Sequence, residues 1–348
     1  MVVEANVSYP TDSGLLAKGV AKMAVLVASL KALGLAARTV TRDRTRSVRR
    51  RAHDVAVWLR RRNDDAKDEV KAITGELAGI ATLAVIDAAA VARNAGRSLA
   101  RSGDKASRKA KALVAELEAT AAVVEQIAAQ TRVRLSGAVP DGATRVVSLH
   151  DRDARPIAKG QLGKPVQFGY KAQVMDNVDG IVVDYLVAKG NPADAPMLAP
   201  AVARVKAAFA KTPKAVTADR GYGEAKVDSE LKALGVKTVA IPRKGRPGIA
   251  RQRVERSSTF RKLVKWRTGS EGRISCLKRD AGWARTLMDG LGGAQTWCGW
   301  GVMAQNSIKI ARLIETTDNK AHVAHPTPAR PAGSSPPTGP PAVSRPAA

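Results

Sequence analysis

At 348 residues the chain is long enough for one large domain or two ordinary ones, and a hydrophobic content of 45% allows a substantial core. A formal net charge of +27 excludes a neutral or acidic surface and points to a polyanionic partner, because each neutralised phosphate releases counterions. Two cysteines exclude a disulfide framework, and the scattered His53, His150, His322 and His325 have no zinc spacing.

Residues 1–14 open with Val2, Val3, Val7 and Tyr9, which suit a strand that Pro10 to Gly14 ends. From Leu15 to about Gln130 the pattern is helical. Leu15, Leu16, Val20, Met23, Leu26, Val27 and Leu30 form an apolar stripe. A very basic segment follows, from Arg38 through Arg49, Arg50 and Arg51 to Arg62, keeping an apolar stripe at Val48, Ala52, Val55 and Trp58. Two further long helices are expected over 64–91 and 107–131, with a polar linker from Arg97 to Lys105. The whole reads as a helical bundle or hairpin with arginine-rich faces, which either contact phosphate or are simply solvated. The most apolar run, Leu77 to Ala92, is interrupted by Asp87 and short for a bilayer, so the expectation is a cytosolic protein with no membrane partner.

Gly137 to Gly142 mark a boundary, and the period then changes. Strands are expected over 145–150, 166–174 and 180–187, joined as an antiparallel meander. A helix over 196–210 leads into a strand that ends at Asp219. A helix over 224–234 and a strand over 237–241 follow, giving a mixed α/β arrangement with one central sheet. The loop from Pro242 to Arg251 is basic, with Arg243, Lys244 and Arg246 able to track a nucleic-acid backbone. A helix is expected from about Ser257 to Lys278, then a glycine-rich turn at Gly290, Gly292 and Gly293, and a last helix over 297–313. The residues after about Thr316 are rich in Pro, Ala, Ser and Thr and read as disordered.

Two carboxylates stand out. Asp219, in Thr217-Ala218-Asp219-Arg220-Gly221-Tyr222-Gly223, ends a β-branched run where α/β enzymes place chemistry. Glu271 lies on the expected helix, with Arg267 four residues before it and Lys278 seven after, so the three share a face. Hard divalent cations prefer such oxygen ligands, and phosphoryl chemistry commonly uses two ions roughly 3.5–4 Å apart. The ordinary alternatives are a turn carboxylate at Asp219 and an Arg267–Glu271 surface pair. Gly269 and Gly272, flanking Glu271, suggest that another backbone comes close, from protein or nucleic acid. Asp151 and Asp153 also follow an expected strand, but the interleaved Arg152 and Arg155 favour a salt-bridged structural turn.

Asp219-Arg220-Gly221-Tyr222-Gly223 resembles the second-aspartate motif of bacterial insertion-sequence transposases of the DDE type. Arg267-x3-Glu271-x6-Lys278 resembles the tail of that family's Tyr-Arg-Glu-Lys signature, with Val264 where the tyrosine would stand. The resemblance implies an RNase-H-like mixed sheet with a large helical insertion between its first and second strands. Residues 1–14 would be the first strand, 15–136 the insertion, 137–315 the catalytic core and 316–348 a tail. It also implies Mg²⁺ or Mn²⁺ on Asp219 and Glu271, and phosphate contacts from Arg220, Arg267, Lys278, Arg243, Lys244 and Arg246. The partners would be double-stranded DNA at transposon ends and target and further copies of the chain, in a nucleoid-associated setting. The family's first catalytic aspartate precedes a segment like Val3-Glu4-Ala5-Asn6, so it is expected upstream of Met1. The chain would then be the C-terminal portion of a transposase, inactive or nearly so.

Overall fold

A computed structural model describes residues 1–61, 63–101, 107–161 and 163–324. The chain divides into two units, Met1–Asn306 and Ser307–Ala348. The first holds everything below except the end of the last helix.

A short strand, β1 (Val2–Glu4), is followed by four helices: α1 (Asp12–Ala32), α2 (Thr45–Trp58), α3 (Asp64–Arg101) and α4 (Arg108–Leu135). Thr11 caps α1 through its hydroxyl, which accepts from Gly14 N at 3.2 Å. The helices share one core, with Leu16, Leu30, Leu77, Leu117 and Ile127 wholly buried. Most of the facing positions on α3 are alanines, which let these helices pack closely. The helix α3 continues ten residues beyond the expected stop at Val91, so Arg97 to Arg101 are helical rather than linker; the rest of that expected linker, 102–106, lies outside the described residues. By length and composition alone α1 and α3 could each cross a membrane, and both give their buried faces to this core.

Residues 145–150, expected as a strand, pair with no strand. The Gln130 side chain takes the place of a neighbour instead. Its Nε2 donates to Val146 O and its Oε1 accepts from Val146 N, both at 3.0 Å. The segment is buried without strict alternation: Val146 and Leu149, three positions apart, enter the helical core, while Val147 enters the next one. The strand comes later, at β2 (Arg155–Gln161), and runs through Lys159-Gly160, a pair that reads as a turn signal. It is followed by β3 (Lys164–Asp176) and β4 (Val182–Lys189).

All pairings in this four-stranded sheet are antiparallel, with β1 on one edge of β3 and β2 then β4 along the other. Beyond it lie α5 (Ala195–Phe209), β5 (Ala215–Thr217), a 3-10 turn (Arg220–Tyr222), α6 (Ala225–Ala233) and β6 (Thr238–Ala240). Strands β5 and β6 are parallel and form a separate two-stranded sheet. The single central sheet expected from the sequence is therefore two. The free edge of β1 is taken by another segment: Thr286 N donates to Glu4 O at 2.8 Å, and Glu4 N to Ala284 O at 3.2 Å.

The last helices are α7 (Ile249–Arg256), α8 (Ser258–Asp280) and α9 (Gly290–Ala324). The glycines read as a turn at 290–293 begin α9, because carboxylates from a distant segment cap it: Gly290 N donates to Asp151 Oδ1 and Leu291 N to Asp153 Oδ2, each at 3.2 Å. The helix also extends to Ala324, past the expected end of order; residues 325–348 lie outside the described residues. A second core gathers Tyr170, Leu277, Trp283 and Cys298, and a third joins α5, α6, β5 and β6 around Val202, Leu231 and Ile241.

Candidate active site

The strand β5 stops at Thr217, so Asp219 leaves the sheet two residues later. Its main chain continues the turn, Tyr222 N donating to Asp219 O at 2.9 Å. Its side chain caps nothing there; it accepts from Arg267 Nη1 on α8. The turn-carboxylate alternative thus describes the backbone of Asp219 and not its carboxylate. The carboxylate is 65% exposed and Arg267 only 22%. A buried guanidinium stem therefore presents its tip to an open acid.

Ser257 caps α8, its Oγ accepting from Phe260 N at 3.3 Å. Phe260 and Leu277 are the buried residues of this helix, and Leu263, Trp266, Ser270 and Ile274 are half-buried along the same side. Arg267 sits beside that stripe, which is why it reaches the β5 loop. Glu271, one turn on, is exposed and has no ion-pair partner among the described residues. The alternative Arg267–Glu271 pair does not form, because Arg267 is committed to Asp219. Lys278 is half-buried two turns further along. No chain backbone comes close to the two glycines: a Cβ on Gly272 would meet nothing within 4 Å, and one on Gly269 would meet only the end of Arg273. That side of the helix is open space.

The Asp219 loop is held from several directions. Gly223 is pressed against the loop after β6, where an added Cβ would lie 1.9 Å from Pro242 O. Lys244 N donates to Gly223 O at 2.8 Å. Arg220 donates to Arg243 O at 3.1 Å and Gly245 O at 2.7 Å, so its side chain ties the basic loop to the Asp219 loop. Tyr222 is pushed up to about 12 by burial, and its hydroxyl accepts from Gln173 of β3 at 3.3 Å. Arg243 is largely withdrawn from solvent. It pairs with Asp228 of α6 at 2.9 Å, an acid that also takes Arg251 at 2.8 Å. Lys244 lies 3.6 Å from Glu224 and is mostly exposed, and Arg246 is exposed. Of the basic-loop residues, Lys244 and Arg246 are the two that face solvent.

Asp151 and Asp153 form a structural, salt-bridged turn, though not with the interleaved arginines. Asp151 is buried, and its Oδ1 accepts from Tyr170 Oη, from Ala154 N at 3.2 Å and from Gly290 N. Burial, then this bond, pushes the Tyr170 hydroxyl far above its ordinary value. Asp153 pairs with Lys189 at 2.7 Å. The neighbouring arginines turn elsewhere, Arg152 to Glu116 at 3.4 Å and Arg155 to carbonyls. A pair passed over in the sequence also borders the site. Asp194, at the start of α5, meets Lys171 of β3 at 2.7 Å, and its Oδ2 lies 3.4 Å from where a Cβ on Gly221 would stand. The only signal was an aspartate just ahead of an apolar helix containing proline.

Residues 141–307 match the family model for the transposase DDE domain. This segment is similar to the DDE domain of transposases. The match covers β2 through the first turns of α9, and so contains Asp219, Glu271 and every candidate contact residue. No curated protein and no solved structure matches the chain. The transposase DDE domain implies an RNase-H-like fold, divalent-metal use and action on DNA. The donor chemistry here suits a hard cation, with two accessible carboxylates on facing elements and a guanidinium already drawn to one of them. Among the described residues, no group of three or more His, Cys, Asp or Glu side chains is placed to share an ion.

Proposed function

We propose that the chain is a DNA transposase polypeptide in which Asp219 and Glu271 hold Mg²⁺ or Mn²⁺ at a phosphodiester of a transposon end. The carrying observation is the contact between Asp219 and Arg267. It brings the strand-end carboxylate to the helix face on which Glu271 is the next residue along. A bound ion would activate the attacking oxygen and stabilise the leaving one. The chain's own residues orient the DNA. Lys244, Arg246 and Lys278 would meet phosphates, Arg267 would be free to turn from Asp219 to phosphate with an ion bound, and Arg220 fixes the basic loop relative to Asp219. The helical block between β1 and β2 is an insertion in this core.

Mn²⁺ titration followed by electron paramagnetic resonance tests the ligand set. Asp219→Asn and Glu271→Gln should each weaken Mn²⁺ binding at least tenfold. Unchanged affinity in both variants would sink the proposal. The net charge of +27 also supports a second reading, a basic DNA-binding protein that retains only the surface of a transposase. On that reading, duplex binding is salt-sensitive and indifferent to both substitutions and to EDTA. A metal-dependent nuclease would instead cleave without joining strands.

A further inference from the structure

The helix α2 sorts its arginines by side. Val48 and Val55 are buried in the helical core, and the arginines flanking that stripe are neutralised by α3: Arg44 by Asp87, and Arg51 by Glu76 at 2.6 Å. The opposite side carries Arg46, Arg49, Arg50 and His53, all exposed. At 3.6 residues per turn these four fall within an arc of about 100° and along about 10 Å of axis. Arg60 and Arg61 continue the patch in the following turn, Arg61 stacked on Trp58 at 4.1 Å. Among the described residues Arg46, Arg50 and Arg60 have no ion-pair partner. Arg49 acts at a distance on Asp43, whose carboxyl is held low chiefly by hydrogen bonds from Thr45. Asp54, the one acid of α2, is half-buried at the margin of the arc.

A face meant only for solubility mixes signs; this one has a single sign and uses arginine, whose fork matches phosphate oxygens. A membrane-surface helix would need its apolar side free to embed, and here that side is occupied by α1 and α3. We infer that the exposed arginine face of α2 is a second duplex-DNA contact surface, outside the matched DDE segment and separate from the two carboxylates. The inference rests on the reading that the chain acts on DNA, and adds a contact that needs no metal. The 10 Å run corresponds to about three phosphate steps of 3.4 Å along one strand.

The test is fluorescence anisotropy of a labelled random-sequence duplex against the full chain, in EDTA, over a salt series. Arg46→Gln/Arg49→Gln/Arg50→Gln should lower the slope of log affinity against log salt by about 2 to 3, at about 0.9 per phosphate contact. The Lys triple at the same positions should keep the slope. Arg108→Gln/Lys109→Gln/Lys111→Gln, which removes equal charge from exposed positions of α4, should leave it nearly unchanged. Equal loss in the α4 control would reduce the effect to net charge and overturn the inference. An unchanged slope in a Gln triple with wild-type thermal melting would overturn it too, as would loss of anionic-vesicle binding with duplex affinity intact. Repeating the series in an Asp219→Asn/Glu271→Gln background separates the two ideas: the α2 effect should persist there whether or not the carboxylates bind metal.

Discussion

Arg267 donates to Asp219 across the gap between α8 and the end of β5, so the candidate metal ligand already carries a positive partner. An entering cation must displace that guanidinium. Arg267→Gln should therefore tighten Mn²⁺ binding to the metal-free chain. The carboxylate is mostly exposed, and exposed pairs contribute at most about 1 kcal/mol, so the gain should be about fivefold or less. Mn²⁺ titration without DNA measures it, and weaker binding in the variant would show that Arg267 supports the site instead of competing for it.

Asp228 is the anionic centre beneath the basic loop, taking both Arg243 and Arg251 while 8% exposed. Removing it strands the largely buried Arg243 guanidinium and leaves Arg251 with Glu255 alone, at 2.9 Å. Asp228→Ala should cost about 3 kcal/mol or more, read as a shift in urea midpoint. Asp228→Leu should be no milder, because the charge and not the volume is what Arg243 lacks.

Gly223→Ala places a methyl group on the carbonyl of Pro242, a backbone atom that cannot swing aside. The two loops must part, which should cost about 2 kcal/mol in denaturant unfolding. Duplex affinity should fall as well, because Lys244 and Arg246 move with the loop. A fully stable variant would mean that the loops pack less closely than described.

The carboxyl of Asp153 is held below its ordinary 3.8, first by the hydrogen bond from Lys189 and then by that from Leu291 N. A group whose folded pKa lies below its unfolded value stabilises the fold above the unfolded value and loses that contribution as pH falls through the folded one. Asp153→Asn should lower stability at neutral pH and flatten the acid limb below pH 3.8. Parallel acid limbs in the two proteins, followed by circular dichroism, would refute this.

Sequence pattern revealed most where one face of an element is buried. The stripe through Leu263, Trp266 and Leu277 located α8 and aligned Arg267 with Glu271, because helical periodicity carries that information directly. Val146 and Leu149 show its limit. A β-branched, apolar run reports that side chains are buried, not whether the main chain finds a strand or the Gln130 amide. Arg220 was legible as a basic residue but not as a clamp, since its partners are carbonyls 23 and 25 positions away. The glycines at the start of α9 misled for a similar reason: their helix is capped by acids 138 and 139 positions earlier. Asp219 itself was found because a strand, an acid and two glycines are adjacent in the chain.

The pairing of β1 with β3 bears on how the molecule forms. Gln167 meets Glu4 across 163 positions, and the intervening chain includes all of α1 to α4. Helices assemble from near neighbours quickly, whereas so distant a strand pairing must wait for a large loop to close. The order of assembly should therefore be helices first and β1 last, with the first strand docking onto a sheet edge that the rest of the chain has already built. A pulse of hydrogen exchange during refolding would find the amides of α3 and α4 protected early and those of Val3 and Glu4 among the slowest.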